Sequence, residues 1–265
     1  MLPAAPGAVA LYVTHLAGSK KVATIGRRLS AIAAAHHEAG LQSPHSHPKV
    51  AAVMAGIRRR LGVAQSCKAA ILTDDLRAIV APLGDDPLAL RDRALLLIGF
   101  ASAMRRSEIV SLNVGDVRFV ESGLEVHLRR SKTDQEGAGR LIGVPNGSHL
   151  ETCPVRALRR WLDAIAIVEG PIFRPINRHG RVSPNRLSPE AVALVVKRRA
   201  EQVGRDSSNL GAHSLRAGFV TSCAMRGISE LTIRRQSGHK SSAMIERYTR
   251  PATIWDGNAA SEVGL

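Results

Sequence analysis

Aromatic side chains are scarce in this chain: Phe, Trp and Tyr make up 3% of 265 residues. Proteins that hold single-stranded nucleic acid stack its bases on aromatic platforms, and there is little here to build one. Cysteine is equally sparse. Cys67, Cys153 and Cys223 are far apart, odd in number and in no CxxC pair. That pattern excludes a disulfide framework, gives no thiolate zinc site, and suits a reduced cytoplasm. Long apolar runs are missing too. The longest, Ala94 to Met104, has 11 residues, whereas a membrane helix needs about 20. No charged segment leads an apolar stretch at the N-terminus, so no signal peptide is expected. The last shortage is of acid: 22 Asp and Glu stand against 37 Lys and Arg, a net charge of +15 at pH 7. An excess of that size calls for a polyanion. With no membrane segment and few aromatics, duplex DNA gripped by its backbone is the expected partner.

What is present supports a folded chain. Hydrophobic residues make up 45% of the sequence, enough for a core in one large or two ordinary domains. The charge divides unevenly. Residues 1–68 hold nine Lys and Arg and one acid, Glu38, so +8 of the +15 sits in about a quarter of the chain. This predicts a small basic domain over 1–66 and a more balanced one over 67–265, joined through Gln65-Ser66-Cys67-Lys68. The first reads as helical: Val9, Tyr12, Val13 and Leu16, then Ile25, Leu29 and Ile32, then Val50, Val53, Met54, Ile57 and Leu61 follow helical spacing, with Gly40 and Gly62 as stops. Arg58, Arg59 and Arg60 flank the third stripe. A solvated helix face would account for them, but the charge excess of the domain favours DNA phosphates, as it does for Lys20, Lys21, Arg27 and Arg28.

In the second part, Thr73 is expected to cap a helix over Asp74–Ala81, and Asp92–Ala103 forms an apolar helix central to the core. Val117–Val120, Leu124–Arg129 and Arg140–Val144 alternate as strands of a small antiparallel sheet. Pro154–Val168 is helical with Thr152 as cap, and Ser188 opens a helix running to Gly204. The fold class is therefore mainly α with a small antiparallel β-sheet.

The chemistry lies in short motifs that are individually weak. His213 and Arg216 share one helix face at a separation of three, a pairing that is usually structural. Gly238 fits the left-handed residue closing a helix that begins near Ser229, which leaves His239 in a turn, where histidines seldom act as catalysts. Tyr248 follows nine residues later. Arg105 and Arg106 follow the apolar helix, and Glu108 lies in the next one. Lys132 sits in a polar turn between two expected strands. His36-His37 and His45-Ser46-His47 lack the thiolates and spacing of a nickel or zinc site, so no metal and no cofactor is expected.

The ordered set is much more specific than its parts. Arg-x-Ser-Glu-Ile after an apolar helix, Lys on a hairpin, His-x-Leu-Arg, Gly-His and then Tyr resemble the tyrosine recombinase (phage integrase) family over roughly residues 70–250. The basic helical part is similar to the core-binding domain of Cre-like members, particularly from Arg27 to Leu41, though shorter by about one helix. The resemblance implies that Arg105 and Arg216 clamp a scissile phosphate; between Arg105 and Arg106, only the pattern decides. It implies further that Tyr248 is the nucleophile, that Lys132 protonates the leaving oxygen, that His213 and His239 complete the set, and that Glu108 supports the arginines. Ala217 departs from relatives that carry His or Lys after the second arginine. A homotetramer on two synapsed duplexes with inverted-repeat sites is also implied, in a bacterial, plasmid or phage setting. The tail over 249–265, with Ile254 and Trp255, is expected to pack on a neighbouring protomer.

The residue types suit the reaction. A phosphodiester repels an incoming anion, and two guanidiniums fork onto its oxygens and oppose that repulsion. A tyrosine hydroxyl with a reference pKa near 10 is ionised in only about one molecule in a thousand at neutral pH, so attack needs a base such as His213. A type IB topoisomerase would share this chemistry, and a non-catalytic DNA-binding protein would share only the fold. The complete set of six positions argues against the latter.

Overall fold

In the computed structural model, residues 2–63, 68–129, 139–249 and 260 are described. The chain divides into two compact units, Met1–Cys67 and Lys68–Leu265. The junction expected at Gln65-Ser66-Cys67, the turn holding Lys132 and nearly all of the tail beyond Thr249, Ile254 and Trp255 included, lie outside the described residues.

The first unit contains three α-helices, α1 (Pro6–Leu16), α2 (Val22–Glu38) and α3 (Pro48–Leu61). Prolines open α1 and α3, where a missing N–H costs nothing. Val9, Val13, Ile25, Leu29, Val50, Met54 and Ile57 form the core. Tyr12 and Leu61, expected in the apolar stripes, are instead 38% and 42% exposed, because so small a core takes only the innermost residues of each turn. His36 is fully buried. Its Nδ1 lies 2.7 Å from the Ile32 carbonyl and its Nε2 accepts the Ala4 N–H at 3.0 Å, so a neutral ring is satisfied on both sides. His47 caps α3, its Nδ1 accepting the Lys49 N–H at 3.2 Å. These histidines serve the backbone, and among the described residues no group of His, Cys, Asp and Glu is placed to hold a metal ion.

The second unit is mainly helical around a three-stranded antiparallel sheet. Its helices are α4 (Thr73–Val80), α5 (Pro87–Ala101), α6 (Arg106–Ser111), α7 (Pro154–Ala164), α8 (Pro189–Glu201), α9 (His213–Ala224), α10 (Glu230–Ser237) and α11 (Ser242–Thr249). Strands β1 (Val117–Val120), β2 (Gly123–Leu128) and β3 (Arg140–Pro145) pair in the order β1-β2-β3, with Val117 opposite Val126 and Leu128 opposite Arg140. Leu124, Val126, Leu128, Ile142 and Val144 turn one face into the core. Arg140 therefore stands at the base of the β2–β3 hairpin.

Helix α5 is buried from Ala89 to Gly99. It starts well before Asp92, because Asp86 accepts the Leu88 and Ala89 N–H groups at 3.0 and 3.1 Å and Pro87 fills the first turn. Asp92, fully buried, meets Arg91 and Arg198 at 2.6 Å and Arg199 at 2.7 Å, which ties α5 to α8. Gly99 lets α6 and α9 close on α5: a Cβ there would lie 3.0 Å from both Ile109 Cδ1 and Leu215 Cδ1. Gly218 lets the entering chain cross α9, since a Cβ would lie 1.7 Å from the Ile71 carbonyl oxygen.

Four expected boundaries shift, the first being α8, which ends at Glu201 and not at Gly204. Thr73 is the first helical residue of α4 and not its cap, with Asp75 accepting the Leu72 N–H at 3.2 Å. Thr152 ends a 3₁₀ turn, and Cys153 caps α7. Helix α7 stops at Ala164, short of Val168, and Ala166 takes a φ of 48°. Among the described residues no helix is long and apolar enough to cross a membrane.

Candidate active site

After α5 the chain reverses through Ser102 and Ala103. Ala103 has a φ of 51°, a conformation that costs any residue bearing a Cβ. The turn directs its carbonyl at Arg216. Arg105 then takes the cap position of α6. Glu108 holds it twice, accepting its backbone N–H at 2.8 Å and its Nη1 at 2.7 Å. Glu108 is 3% exposed and Arg105 20%, so the pair is fixed by burial as well as charge. Arg106 pairs at the surface with Glu190 at 3.5 Å.

Helix α9 carries His213 on its first turn and Arg216 three residues on, one above the other. Arg216 is 1% exposed. Its Nη1 donates to the Ala103 carbonyl at 2.5 Å and to the Ser237 carbonyl at 2.6 Å. Its Nη2 is buried with no partner among the described residues. An unpaired buried donor on a cation is costly, and this donor fits an oxyanion.

Helix α10 ends on Gly238 in the left-handed conformation, φ 68°. His239 follows, 5% exposed. Ser237 Oγ lies 2.6 Å from the Ile233 carbonyl and 2.7 Å from His239 Nδ1. The hydroxyl's single proton goes to the carbonyl, so Nδ1 carries the N–H that Oγ accepts and Nε2 of the neutral ring is left as an acceptor. Helix α11 packs Ile245 and Tyr248 on Val220, Cys223 and Ile233, and Thr221 Oγ1 donates to the Tyr248 carbonyl at 3.0 Å. This brings the Tyr248 hydroxyl to 2.5 Å from His213 Nε2, with ring centroids 5.7 Å from His213 and 6.0 Å from His239.

Among the described residues the electrostatics are those of a cation cluster with Glu108 as its one carboxylate. Burial, then Arg105, lowers the Arg216 pKa from its ordinary value to about 10, against an opposing effect of Glu108. Burial, then Arg216 and Arg105, pushes His239 down to about 3. The same causes in the same order lower His213. Both imidazoles are held neutral, and the His213 nitrogen facing the phenol can accept a proton.

The structure thus brings Arg105, Glu108, His213, Arg216, His239 and Tyr248 together from three helices and a turn. Lys132 lies outside the described residues. Lys20 and Lys21 lie between α1 and α2, Arg27 and Arg28 on α2, and Arg58, Arg59 and Arg60 in the last turn of α3; all seven are exposed. One site residue escapes sequence reasoning. Arg140, opening β3, donates from Nη1 to the Gln236 carbonyl at 3.0 Å, and it adds to the positive field that lowers Arg216 and His239. A basic residue after a polar turn carries no motif, so nothing in the sequence marks it.

Comparison with known proteins agrees with this geometry. Residues 70–253 match the phage integrase family. The integrase/recombinase xerD homolog of Selenomonas ruminantium is 40% identical over 266 aligned residues, covering 99% of this chain and 78% of that protein. The Tn1549 transposon integrase in complex with circular-intermediate DNA has a TM-score of 0.67 at 15% identity, covering 98% of this chain and 85% of that one. A lambda integrase tetramer bound to a Holliday junction gives 0.59 at 17%, covering 91% and 66%.

Proposed function

Because the chain belongs to the phage integrase family, we propose that it is a site-specific DNA recombinase whose nucleophile is Tyr248. One observation carries this reading. The Tyr248 hydroxyl rests on a neutral His213 Nε2 at 2.5 Å, beside a buried Arg216 whose Nη2 still has a donor to give. Tyr248 Oη attacks the scissile phosphorus, and its proton passes to His213. Arg105 and Arg216 hold the non-bridging oxygens, where charge grows in the transition state. Nε2 of His239 supports the same oxygens once the Ser237 hydroxyl turns from the Ile233 carbonyl to Nδ1 and the ring proton moves to Nε2. The P–O5′ bond breaks as Lys132, on the β2–β3 hairpin, delivers a proton to the 5′ oxygen. The products are a 3′-phosphotyrosine and a free 5′-hydroxyl. One phosphoester replaces another, so the step is near balance, runs backwards with a new 5′-hydroxyl, and is written without metal or ATP. Nucleophile and clamp come from one chain, so cleavage is proposed to occur within a protomer.

Duplex DNA is the substrate. The proposed division of labour places the core-binding clamp on the first unit, with Lys20, Lys21, Arg27, Arg28 and Arg58 to Arg60 on the phosphates. The lambda integrase tetramer bound to a Holliday junction supports a homotetramer on synapsed duplexes; inverted-repeat target sites and action on cytoplasmic DNA belong to the same proposal. A nicked suicide duplex, carrying the sequence the protein protects on genomic fragments, tests the reading. The parent should trap as a covalent adduct and Tyr248→Phe should not. An adduct in the variant removes Tyr248 from its role. Relaxation of supercoiled DNA lacking any such sequence would point to a topoisomerase.

A further inference from the structure

Helix α10 ends with its last carbonyls facing the site, and two guanidiniums consume them. Arg216 takes Ser237 O at 2.6 Å. Arg140 takes Gln236 O at 3.0 Å, with Arg235 O at 3.5 Å from the same nitrogen. A helix C-terminus leaves carbonyls without intrahelical donors and carries partial negative charge, and a cation there satisfies both needs. Arg140 reaches this end from the base of the hairpin, residues distant in sequence being joined by one side chain. It also covers Gly238: a Cβ built on that residue would lie 2.5 Å from Arg140 Nη1 and 2.9 Å from Cζ. Gly238 is thus required by its left-handed backbone and again by the guanidinium above it. Gln236 makes a parallel link, its Nε2 donating to the Ala101 and Gly143 carbonyls at 2.9 Å each.

We propose that Arg140 is a positioning residue for the cleavage reaction: it pins the C-terminal turn of α10 to the base of the β2–β3 hairpin, so that His239 and the Ser237 contact of Arg216 are held in one register. The inference rests on the recombinase reading and adds a residue to it. The consequence is geometric first. Helix α10 is short, and its end carries both the Ser237 hydroxyl that orients His239 and the carbonyl that orients Arg216. A displacement of about 1 Å at a positioned group costs about a hundredfold in rate. The consequence is electrostatic second, since Arg140 is one of the charges that keep His239 neutral.

The test compares Arg140→Gln and Arg140→Lys with the parent on the nicked suicide duplex. Three quantities are read: the single-turnover cleavage rate at saturating protein, the Kd for the same DNA, and hydrogen exchange of the peptide covering Gly238 in the free protein. Arg140→Gln should cleave at least about tenfold more slowly, bind DNA within about threefold of the parent, and exchange faster at Gly238. The acid limb of its rate–pH profile should move up. Arg140→Lys, which keeps the charge and a donor, should recover most of the rate and restore the profile. Unchanged exchange at Gly238 in Arg140→Gln overturns the proposal whatever the activity. So does a loss confined to Kd, or one that Arg140→Lys does not recover at all. A parent that forms no adduct, with exchange at Gly238 still faster in Arg140→Gln, would instead sink the recombinase reading and leave the α10 contact demonstrated.

Discussion

Replacing Arg216 by methionine should stop cleavage while leaving the fold standing, and the two effects can be weighed from the structure. Arg216 is held at a pKa of about 10, well below the ordinary guanidinium range. At neutral pH the side chain is charged in both folded and unfolded states. The depressed value therefore means that the folded state carries the charge at a penalty of about 3 kcal/mol, relieved only as pH rises through about 10. Methionine ends that penalty. It also strips the donor from the carbonyls of Ala103 and Ser237, at about 1–3 kcal/mol each. The opposing effects leave the variant between slightly more stable and about 3 kcal/mol less stable than the parent. Cleavage, by contrast, loses a guanidinium directed at the developing charge, worth about 100-fold to 1000-fold or more. Urea unfolding gives the first quantity and single-turnover adduct formation the second. A destabilisation above about 5 kcal/mol would show the guanidinium to be chiefly a structural strut. Cleavage near the parent rate would refute its place on the phosphate outright.

Two further outcomes follow from the same geometry. His239 stays neutral in the fold down to about pH 3, whereas an unfolded histidine protonates near 6.5. Proton uptake by the unfolded chain then lowers stability as pH falls below about 6.5, by about 2 kcal/mol at pH 5; His239→Gln should flatten that slope in urea unfolding at several pH values, and parallel slopes would contradict the assignment. Gly218→Ala should cost about 3 kcal/mol or more, since its Cβ would lie 1.7 Å from the Ile71 oxygen and neither backbone can yield cheaply. A denaturation midpoint equal to that of the parent would show that the crossing of Ile71 over α9 is not tight.

The fold class was legible because periodicity is a local property. The strands alternate cleanly, and Ser188, Ser229 and Gly238 are caps written in single residues. Boundaries were harder where two signals compete. Thr73 is a good cap residue, yet the chain enters helix one position earlier because Asp75 accepts the Leu72 N–H. The apolar helix was read from Asp92 because the stretch before it is charged, and only the internal neutralisation by Arg91, Arg198 and Arg199 lets that acid be buried. The site was legible as an ordered motif and not as a geometry. That the Ala103 carbonyl, in a strained turn, and the Ser237 carbonyl both orient Arg216 depends on backbone atoms, which no side-chain pattern encodes. Arg140 was invisible for a related reason: its partners are the carbonyls of another helix, and any sequence would supply those.

The second unit contains two buried arginine clusters, and their contrast bears on what the site is for. Around Asp92 the anion is built in. Its carboxylate receives three guanidiniums, all short, and the result ties α5 to α8. Around Arg216 the acid is Glu108, and both of its oxygens are already taken by Arg105. Among the described residues Arg216, Arg105 and Arg140 therefore outnumber the negative charge at hand; Arg105 and Arg140 both lower the Arg216 pKa, and Arg105 lowers that of Arg140. A cluster serving only the fold would gain from a second acid, because an uncompensated buried cation costs stability. Among the described residues this second cluster has one carboxylate for three guanidiniums, an arrangement that an incoming anion would complete under the proposed reading. In the proposed reading a phosphodiester brings that charge, accepts the forked donors, and meets the Tyr248 hydroxyl already hydrogen-bonded to His213.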